Sequence, residues 1–327
     1  MSSSETNEVS TAAASTHLLP THTIFQLKEA GTWFENIAVR PNGDLLVTML
    51  APTPSLYTLR RPYSPTREFC LLHTFDDATG LLGITETDID TFAVISSKFA
   101  DASTPVIGSS AVWEASFQHD KLHTRKVAGL PDLALPNGIT TVPGSSAVLV
   151  GDCLGGTVTH CDMRTGATEV MLARPEMAPL PNEAESLGIN GIHYQPGYLY
   201  WSNSSLATLF RMRVDAHGKP HADAKVETVG KVNASFIDDF AVGHSGTSWL
   251  ATNPNNTIIA IRSNGSSQVV AGDPAKLTIA GCTAAAFGRT LSDSRTLYVV
   301  TNGAIRAPVN GVIEPAKIVA VETVGFF

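Results

Sequence analysis

The sequence has 327 residues, 43% of them hydrophobic, and its 30 acidic residues exceed its 22 Lys and Arg to give a net charge of −8. This composition excludes an intrinsically disordered chain, which needs low hydrophobicity and high charge. It also argues against nucleic-acid binding, which needs a basic face. No run of about 18 apolar residues occurs, so we predict no membrane span.

The first segment of the chain, residues 1–21, is predicted to be a flexible tail, because Ser, Thr, Ala and Glu dominate it. It lacks the basic region and the apolar stretch of a signal peptide. We therefore expect a cytoplasmic protein, with secretion left open, and nothing in the sequence indicates an oligomeric state.

One pattern then recurs six times: a small or polar pair opens a short apolar strand, and a turn and a second apolar strand follow. The openings lie about 44 to 55 residues apart, a spacing typical of β-propeller blades. Their first residues are Glu35, Leu82, Asn137, Asn190, Asp238 and Cys282. Many short strands with frequent turns favour an all-β fold, so we predict a six-bladed β-propeller spanning residues 22–327. Two stacked sandwiches are the alternative, but they would not produce a sixfold spacing.

The sixth repeat lacks a fourth strand before the sequence ends. The apolar segment from His22 to Lys28 belongs to no repeat and is predicted to be the missing outer strand of the last blade. Pairing the two ends of the chain in this way closes the ring and leaves no unpaired sheet edge.

The four cysteines are too few for a disulfide-based scaffold. Cys153 and Cys161 flank a predicted hairpin turn at residues 154–156, so they could face each other across two strands. Two interpretations stay open, a disulfide or two reduced, half-buried thiols.

The first strand of each propeller blade lines the central channel, so the first residues of the openings should meet near one of its mouths. Two carboxylates, Glu35 and Asp238, and two carboxamides, Asn137 and Asn190, would then share one site. Four such oxygen donors suit Ca²⁺ or another divalent cation. Two carboxylates without a cation would repel each other, which favours protonation of one of them. Each residue taken alone could instead be a turn residue.

The same mouth is predicted to be apolar, because six aromatic residues lie near the openings. These candidate substrate-binding residues are Trp33, Phe34, Trp113, Tyr194, Phe236 and Phe287. The alternative for each of them is packing between blades. His193 follows Asn190 on the same predicted strand and is a further candidate acid, base or hydrogen-bond donor, unless it faces a neighbouring blade.

The axial set, with Pro136-Asn137-Gly138 and residues 238–242 (DDFAV), resembles the senescence-marker-protein/gluconolactonase/luciferin-regenerating-enzyme superfamily. The resemblance implies a six-bladed propeller with Asp238 as the general base of lactone hydrolysis. It also implies a metal held by Glu35, Asn137, Asn190 and Asp238. The sequence differs from that family at Asp239, since Gly normally follows the Asp.

A closer resemblance is to a subgroup of fungal proteins encoded beside secondary-metabolite pathways. It is carried by residues 32–48 (TWFENIAVRPNGDLLVT), 187–192 (LGINGI) and 286–290 (AFGRT). Some members are hetero-Diels–Alderases that join a tropolone-derived o-quinone methide to a humulene-type terpene. The resemblance implies an enzyme of this kind in meroterpenoid biosynthesis. The catalytic candidates are then Glu35, Asn137, Asn190, His193 and Asp238.

For such a cyclisation, we expect the pocket to hold a small hydrophobic polyketide or terpenoid substrate and to need no cofactor. Metal-dependent lactone hydrolysis by the same axial residues is the runner-up, and a non-catalytic propeller scaffold is the third hypothesis. The motifs of serine hydrolases, zinc proteases and nucleotide-binding enzymes are missing from the sequence.

Overall fold

The computed structural model describes residues 18–101, 104–183, 185–243 and 245–326. Over these ranges, 24 strands form six four-stranded antiparallel sheets, which are the blades of a propeller. The predicted all-β, six-bladed fold is therefore confirmed. The predicted tail, residues 1–21, lies for its greater part outside the described residues.

The strands follow the repeat in chain order, and the bounds of each blade are as follows. Blades 1 and 2 contain β2 (Trp33–Val39), β3 (Leu45–Ala51), β4 (Ser55–Arg60), β5 (Glu68–Thr74), β6 (Gly80–Asp88), β7 (Thr91–Ser97), β8 (Ala111–Gln118) and β9 (Lys121–Gly129). Blades 3 and 4 contain β10 (Pro136–Thr141), β11 (Ala147–Asp152), β12 (Thr157–Asp162), β13 (Thr168–Ala173), β14 (Ile189–Gln195), β15 (Tyr198–Asn203), β16 (Thr208–Arg213) and β17 (Val226–Lys231). Blades 5 and 6 contain β18 (Phe240–Val242), β19 (Ser248–Thr252), β20 (Thr257–Ile261), β21 (Ser267–Gly272), β22 (Cys282–Phe287), β23 (Thr296–Thr301), β24 (Lys317–Glu322) and β1 (Thr21–Gln26).

Helical structure in the described part of the chain is limited to two 3₁₀ turns, Pro175–Met177 and Asn253–Asn255. No helix among these residues is long and apolar enough to cross a membrane.

The sixth blade is completed by the strand from the start of the sequence. β1 pairs antiparallel with β24, with Thr21 opposite Val321 and Gln26 opposite Lys317. The backbone continues this attachment upstream, because the Leu19 amide donates to the Val270 carbonyl at 2.7 Å. The two ends of the chain thus hold the ring closed, and the edge that β24 would otherwise expose is paired.

An apolar cluster fills each of the six interfaces between neighbouring blades. Between blades 3 and 4, for example, Leu149 of β11 and Trp201 of β15 are fully buried in one cluster. Each large side chain removed from water in this way stabilises the fold by roughly 1.5 to 3 kcal/mol. Because both faces of every sheet are covered, the blades stack into a ring whose inner strands surround the axis.

Both cysteines near the turn of blade 3 are free and buried. The register explains why they do not meet, since Cys161 pairs with Val148 at one end of the hairpin and Cys153 lies beyond Asp152 at the other end. Cys153 and Cys161 are therefore reduced thiols and do not form the disulfide that was the other interpretation.

The innermost strands depart from regular pairing where they enter the channel. The register of β2, β10 and β14 against their neighbours shifts around Glu35, Asn137 and Asn190. Such bulges release a residue from the ladder and change the direction of its side chain. In blade 5, β18 begins only at Phe240, so Asp238 also precedes the regular ladder.

Candidate functional site

Four of the predicted residues meet at one mouth of the central channel. A single cavity of about 300 Å³ is lined by Glu35, Asn137, Asn190 and Asp238, among others. Each of the four is at most 7% exposed. The repeat places them at the same position of blades 1, 3, 4 and 5, so the sixfold spacing is what brings them together. The volume is at the lower end of the range for small-molecule sites.

Asp238 is held by two amides. Asn190 Nδ2 donates to its Oδ1 at 2.9 Å, and Asn253 Nδ2 donates to its Oδ2 at 3.0 Å. Asn253 Oδ1 in turn accepts a bond of 3.0 Å from Asn302 Nδ2. Asn253 and Asn302 were not found by sequence reasoning. The sequence nevertheless contains a pattern that could have identified them: each follows a Thr at the end of a second strand, Asn253 in blade 5 and Asn302 in blade 6.

Glu35 is held from two sides in the same way. Trp33 Nε1 donates to its Oε2, and Asn137 Nδ2 donates to its Oε1 at 3.2 Å. Trp33 is thus both an apolar wall of the cavity and a hydrogen-bond donor at its base. The four carboxylate oxygens of Glu35 and Asp238 all accept an N–H bond.

Burial dominates the electrostatics of this centre. It raises the pKa of Glu35 to about 7, although the bonds from Trp33 and Asn137 oppose the change. Burial also raises the pKa of Asp238 well above its usual value, and the nearby Glu35 carboxylate raises it further. Two desolvated carboxylates that repel each other favour a bound proton or a bound cation at this point.

Small residues allow the inner strands to approach closely. A Cβ on Gly138 would lie 2.1 Å from the carbonyl oxygen of Asn190, and one on Gly191 would lie 2.2 Å from Asp239 Oδ1. Both distances are far below van der Waals contact. The glycine after each axial asparagine is therefore required by the neighbouring blade.

Two hydroxyl groups lock the entering strands together. Thr48 Oγ1 accepts from the Asn36 amide and donates to the Leu82 carbonyl of the next blade at 2.7 Å. Ser202 Oγ accepts from the Gly191 amide and donates to the Asp238 carbonyl of the next blade at 2.8 Å. These bonds satisfy backbone groups that the bulges leave unpaired, so they fix the direction of the axial side chains.

The rest of the cavity wall is mostly apolar. Trp33 and Phe236 are the two predicted aromatics that line it. Further apolar residues of the wall are Leu50, Leu82, Phe99, Leu135, Leu187 and Pro254. The polar and charged rim residues that sequence reasoning missed are Glu185, Ser235 and Arg306. The described residues thus form an apolar funnel above an acidic centre.

The other four predicted aromatics are not among the described residues that line the cavity, and the prediction for them is corrected. Phe34 is fully buried between blades 6 and 1, because its side chain points away from that of the adjacent Glu35. Trp113 packs on Phe75 between blades 1 and 2. Tyr194 and Phe287 pack between blades 3 and 4 and between blades 5 and 6. All four adopt the packing role that was the alternative. Cys282, the first residue of the sixth opening, is also buried in the core between blades 5 and 6.

His193 is likewise not part of the described cavity lining. Its Nε2 lies 2.9 Å from Asp239 Oδ1, and its ring packs edge-on against Phe240. Asp239 also accepts from Asn36 Nδ2 at 2.8 Å. The residue that differs from the superfamily pattern thus links blades 1, 4 and 5.

The axial residues fit a divalent cation in their donor chemistry. Asn190 Oδ1 is buried and has no hydrogen-bond partner among the described residues. Two carboxylates and such an amide oxygen are ligands that a hard cation prefers. Over the described residues, no group of three or more His, Cys, Asp or Glu could hold a metal. Amide oxygens from Asn137 and Asn190 would therefore have to complete the ligand set.

Comparison with solved structures shows the fold. The chain is similar to a luciferin-regenerating enzyme (TM-score 0.67, 12% identity), covering 94% of this chain and 96% of that one. It is also similar to the calcium-binding protein regucalcin of Agrobacterium tumefaciens (TM-score 0.64, 15% identity), covering 95% and 97%. A gluconolactonase of Xanthomonas campestris gives a TM-score of 0.61 at 14% identity, covering 95% and 93%. At these identities the likeness concerns the propeller alone.

Comparison with curated sequences shows the family. No protein-family model matches the chain. A candidate hetero-Diels-Alderase of Sarocladium schorii, asR5, is 30% identical, covering 90% of this chain and 82% of its own length. A candidate hetero-Diels-Alderase of a Phoma species is 31% identical, covering 91% of both chains. The chain therefore belongs to the hetero-Diels-Alderase family of six-bladed β-propellers.

Proposed function

We propose that the protein catalyses a hetero-Diels–Alder cyclisation that joins a tropolone-type o-quinone methide to a humulene-type terpene, as a step of fungal meroterpenoid biosynthesis. The observation that carries this proposal is the cavity lining, in which an apolar wall surrounds buried amide donors. The names of the two curated relatives, each aligned over about nine-tenths of the chain, support it.

The bond changes of this reaction require little covalent help from a protein. Four π electrons of the heterodiene O=C–C=C and two of the alkene form one C–O bond, one C–C bond and one new C=C bond. No proton, leaving group or oxidant is exchanged in the cyclisation. The enzyme therefore acts by orienting the two partners, by excluding water and by stabilising charge in the transition state.

The apolar wall would supply orientation and exclude water. Leu82 on β6 and the loop residues Phe99 and Phe236 present hydrocarbon surface from different sides of the cavity. A terpene placed against them would meet the heterodiene in one orientation, which fixes the stereochemistry of the product. Excluding water also protects an o-quinone methide from hydration.

The amides of Asn137 and Asn190 would supply hydrogen bonds. Negative charge develops on the heterodiene oxygen as electron density moves from the alkene. Each amide directs one N–H at Glu35 or Asp238, and the carboxamide group carries a second N–H that can donate to the substrate. A donor placed at that oxygen stabilises the transition state more than the ground state.

Formation of the o-quinone methide from a hydroxymethyl precursor would use the acidic pair. The C–O bond to the hydroxyl breaks, the leaving group takes up a proton, and the ring hydroxyl loses one, so the net change is the loss of water. Glu35 and Asp238 are the candidate acid and base at the base of the cavity. His193 is not among the described residues that line the cavity, and its ring contacts Asp239, so Glu35 and Asp238 are the better candidates for this role. A divalent cation bound by Glu35, Asn137, Asn190 and Asp238 would polarise a substrate carbonyl.

The acidic pair also favours a second candidate function, the hydrolysis of a lactone. In that reaction Asp238 would accept a proton from water, and the apolar wall would hold the ring of the lactone. The solved structure named as a gluconolactonase, from Xanthomonas campestris, has a similar fold. A propeller scaffold without activity is the third candidate. The burial of the Glu35 and Asp238 carboxylates on the axis argues against it, because burying charged groups is costly.

One experiment separates these candidates. The purified protein is incubated with a quinone-methide precursor and a humulene-type alcohol, with and without EDTA, and in parallel with aldonolactones and Ca²⁺. We expect faster formation of one cycloadduct stereoisomer, and a reduction of at least about tenfold in the Asn190→Ala variant, as for the loss of a transition-state donor. Lactone turnover that EDTA abolishes, with no change in cycloadduct yield or stereochemistry, would contradict the proposal. No effect in either assay would favour the scaffold.

A further inference from the structure

The charges around the cavity are unevenly distributed. Three acids line it, namely Glu35, Asp238 and Glu185, whereas Arg306 is the one cation among the described lining residues. Glu35 and Asp238 lie buried at the base, and Arg306 is exposed at the rim. A substrate group that carries a full negative charge would be attracted to the side of the mouth where Arg306 lies, since the acids elsewhere in the lining repel it whenever they are ionised.

The backbone before Arg306 is fixed by the centre of the site. Arg306 lies in the loop 302–316 between β23 and β24. The Ile305 amide donates to Asn302 Oδ1. Asn302 Nδ2 donates to Asn253, which itself donates to Asp238. A chain of three hydrogen bonds therefore connects Asp238 to the residue that precedes Arg306.

The rest of the loop base is also anchored. The Ala304 amide donates to the Ala280 carbonyl, and the Glu314 amide donates to the Gly303 carbonyl at 2.9 Å. Ala304 and Val309 pack in a small apolar cluster with Ala280. The segment that presents Arg306 to the cavity is thus built into the fold.

The Arg306 guanidinium has no hydrogen bond or ion pair with the residues that the structure describes, although its charge acts on Glu35. A guanidinium offers five N–H donors in a planar fork that matches two oxygens of an anion. A cation at a cavity rim without a structural partner is available to a ligand.

We propose that Arg306 binds an ionised oxygen of the polar substrate, so that the side of the cavity next to Arg306 takes an anionic partner while the neutral hydrocarbon partner occupies the apolar wall. This inference rests on the proposed function, because it assigns the two partners of the cyclisation to two sides of one cavity. Arg306 is thus a specificity-determining residue that selects the anionic partner and sets its orientation.

The test compares two probes that differ in one charge. Binding of tropolone and of its O-methyl ether is measured by calorimetry, at a pH at which tropolone is ionised and with EDTA present to remove metals that tropolone would chelate. We expect the protein to bind tropolone about tenfold more tightly than the ether, as a charge-assisted hydrogen bond allows. The preference should fall at high salt, because the site is at the rim.

Variants at Arg306 decide the assignment. Arg306→Gln should bind tropolone and its O-methyl ether about equally, without weakening the binding of the ether. Arg306→Lys should retain part of the preference for tropolone. Arg164→Gln removes an equal charge from an exposed turn of blade 3 and should change nothing. The inference is overturned if the protein shows no preference, or if Arg306→Gln retains it.

The failure of the inference and the failure of the proposed function can be told apart. If Arg306→Gln abolishes the preference but the protein does not accelerate cyclisation, the anion site stands and the proposed function is wrong. If cyclisation is accelerated and its KM for the tropolone partner is the same in Arg306→Gln, the proposed function stands and the inference is wrong.

Discussion

Replacing Glu35 with glutamine should remove the part of the pH dependence of folding stability that this carboxyl contributes in the EDTA-treated protein. Burial raises the pKa of Glu35 from 4.5 to about 7, so the folded state binds this proton more tightly than the unfolded state. Stability is then fully present below pH 4.5 and is lost as the pH rises through 7. The loss amounts to about 3 kcal/mol.

The variant should differ from the parent protein in opposite directions at the two ends of this range. Trp33 and Asn137 donate to different oxygens of Glu35, and glutamine has an NH₂ group in place of one of them, so one donor loses its acceptor at a cost of about 1 kcal/mol. At pH 4.5 the variant should therefore be less stable by about 1 kcal/mol. At pH 8 it should be more stable by about 2 kcal/mol, because it has no charge to bury at position 35.

Urea denaturation at four pH values between 4.5 and 8 measures both effects. Glu169→Gln on the exposed side of β13 is the matched control and should follow the parent protein throughout. The reasoning is refuted if Glu35→Gln and the parent protein lose stability in parallel as the pH rises. A parallel loss would mean that the pKa of Glu35 is the same in the folded and unfolded states.

Three further predictions concern packing, the apolar wall and the metal. Gly138→Ala should destabilise the fold by about 2 kcal/mol or more in urea denaturation, because the added Cβ would lie 2.1 Å from the Asn190 carbonyl oxygen of the neighbouring blade. Gly129→Ala is the control and should change stability by less than about 0.5 kcal/mol, because no atom lies within 4 Å of its added Cβ. Phe236→Ala should lower kcat/KM for cycloadduct formation about tenfold, because it removes part of the wall that orients the partners, and an unchanged value would remove Phe236 from the site. Adding CaCl₂ to EDTA-treated protein should raise the melting temperature of the parent protein but not that of Asp238→Asn; equal melting temperatures with and without Ca²⁺ would contradict a cation at the axis.

The sequence was sufficient to predict the parts of the site that the repeat determines. The repeat puts the four axial residues at the same position of their blades: Glu35, Asn137, Asn190 and Asp238. A ring of similar blades places equivalent positions around the same end of the channel, where the cavity lies. The closing strand was predictable for a related reason, because a sixth blade with three strands leaves an edge that a strand at the other end of the chain can pair.

The apolar wall could not be predicted from proximity in the sequence. Phe34 is adjacent to Glu35, but neighbouring side chains of a strand point to opposite faces, so its ring enters the core between two blades. Phe99 and Arg306 reach the cavity from long loops after second strands, and nothing in a single sequence fixes the course of such loops. Asn253 also belongs to the repeat, but it follows the second strand of its blade instead of opening the first.

The pairing of β1 with β24 has a consequence for how the ring is assembled. Blades 1 to 5 can each form from one continuous stretch, whereas the sixth must wait until both segments exist in the same molecule. A backbone cut in an exposed turn, such as the one between β12 and β13, would leave two fragments that carry complementary halves of this joint. Mixing them should regenerate the ring, and omitting residues 21–26 from the first fragment should prevent it.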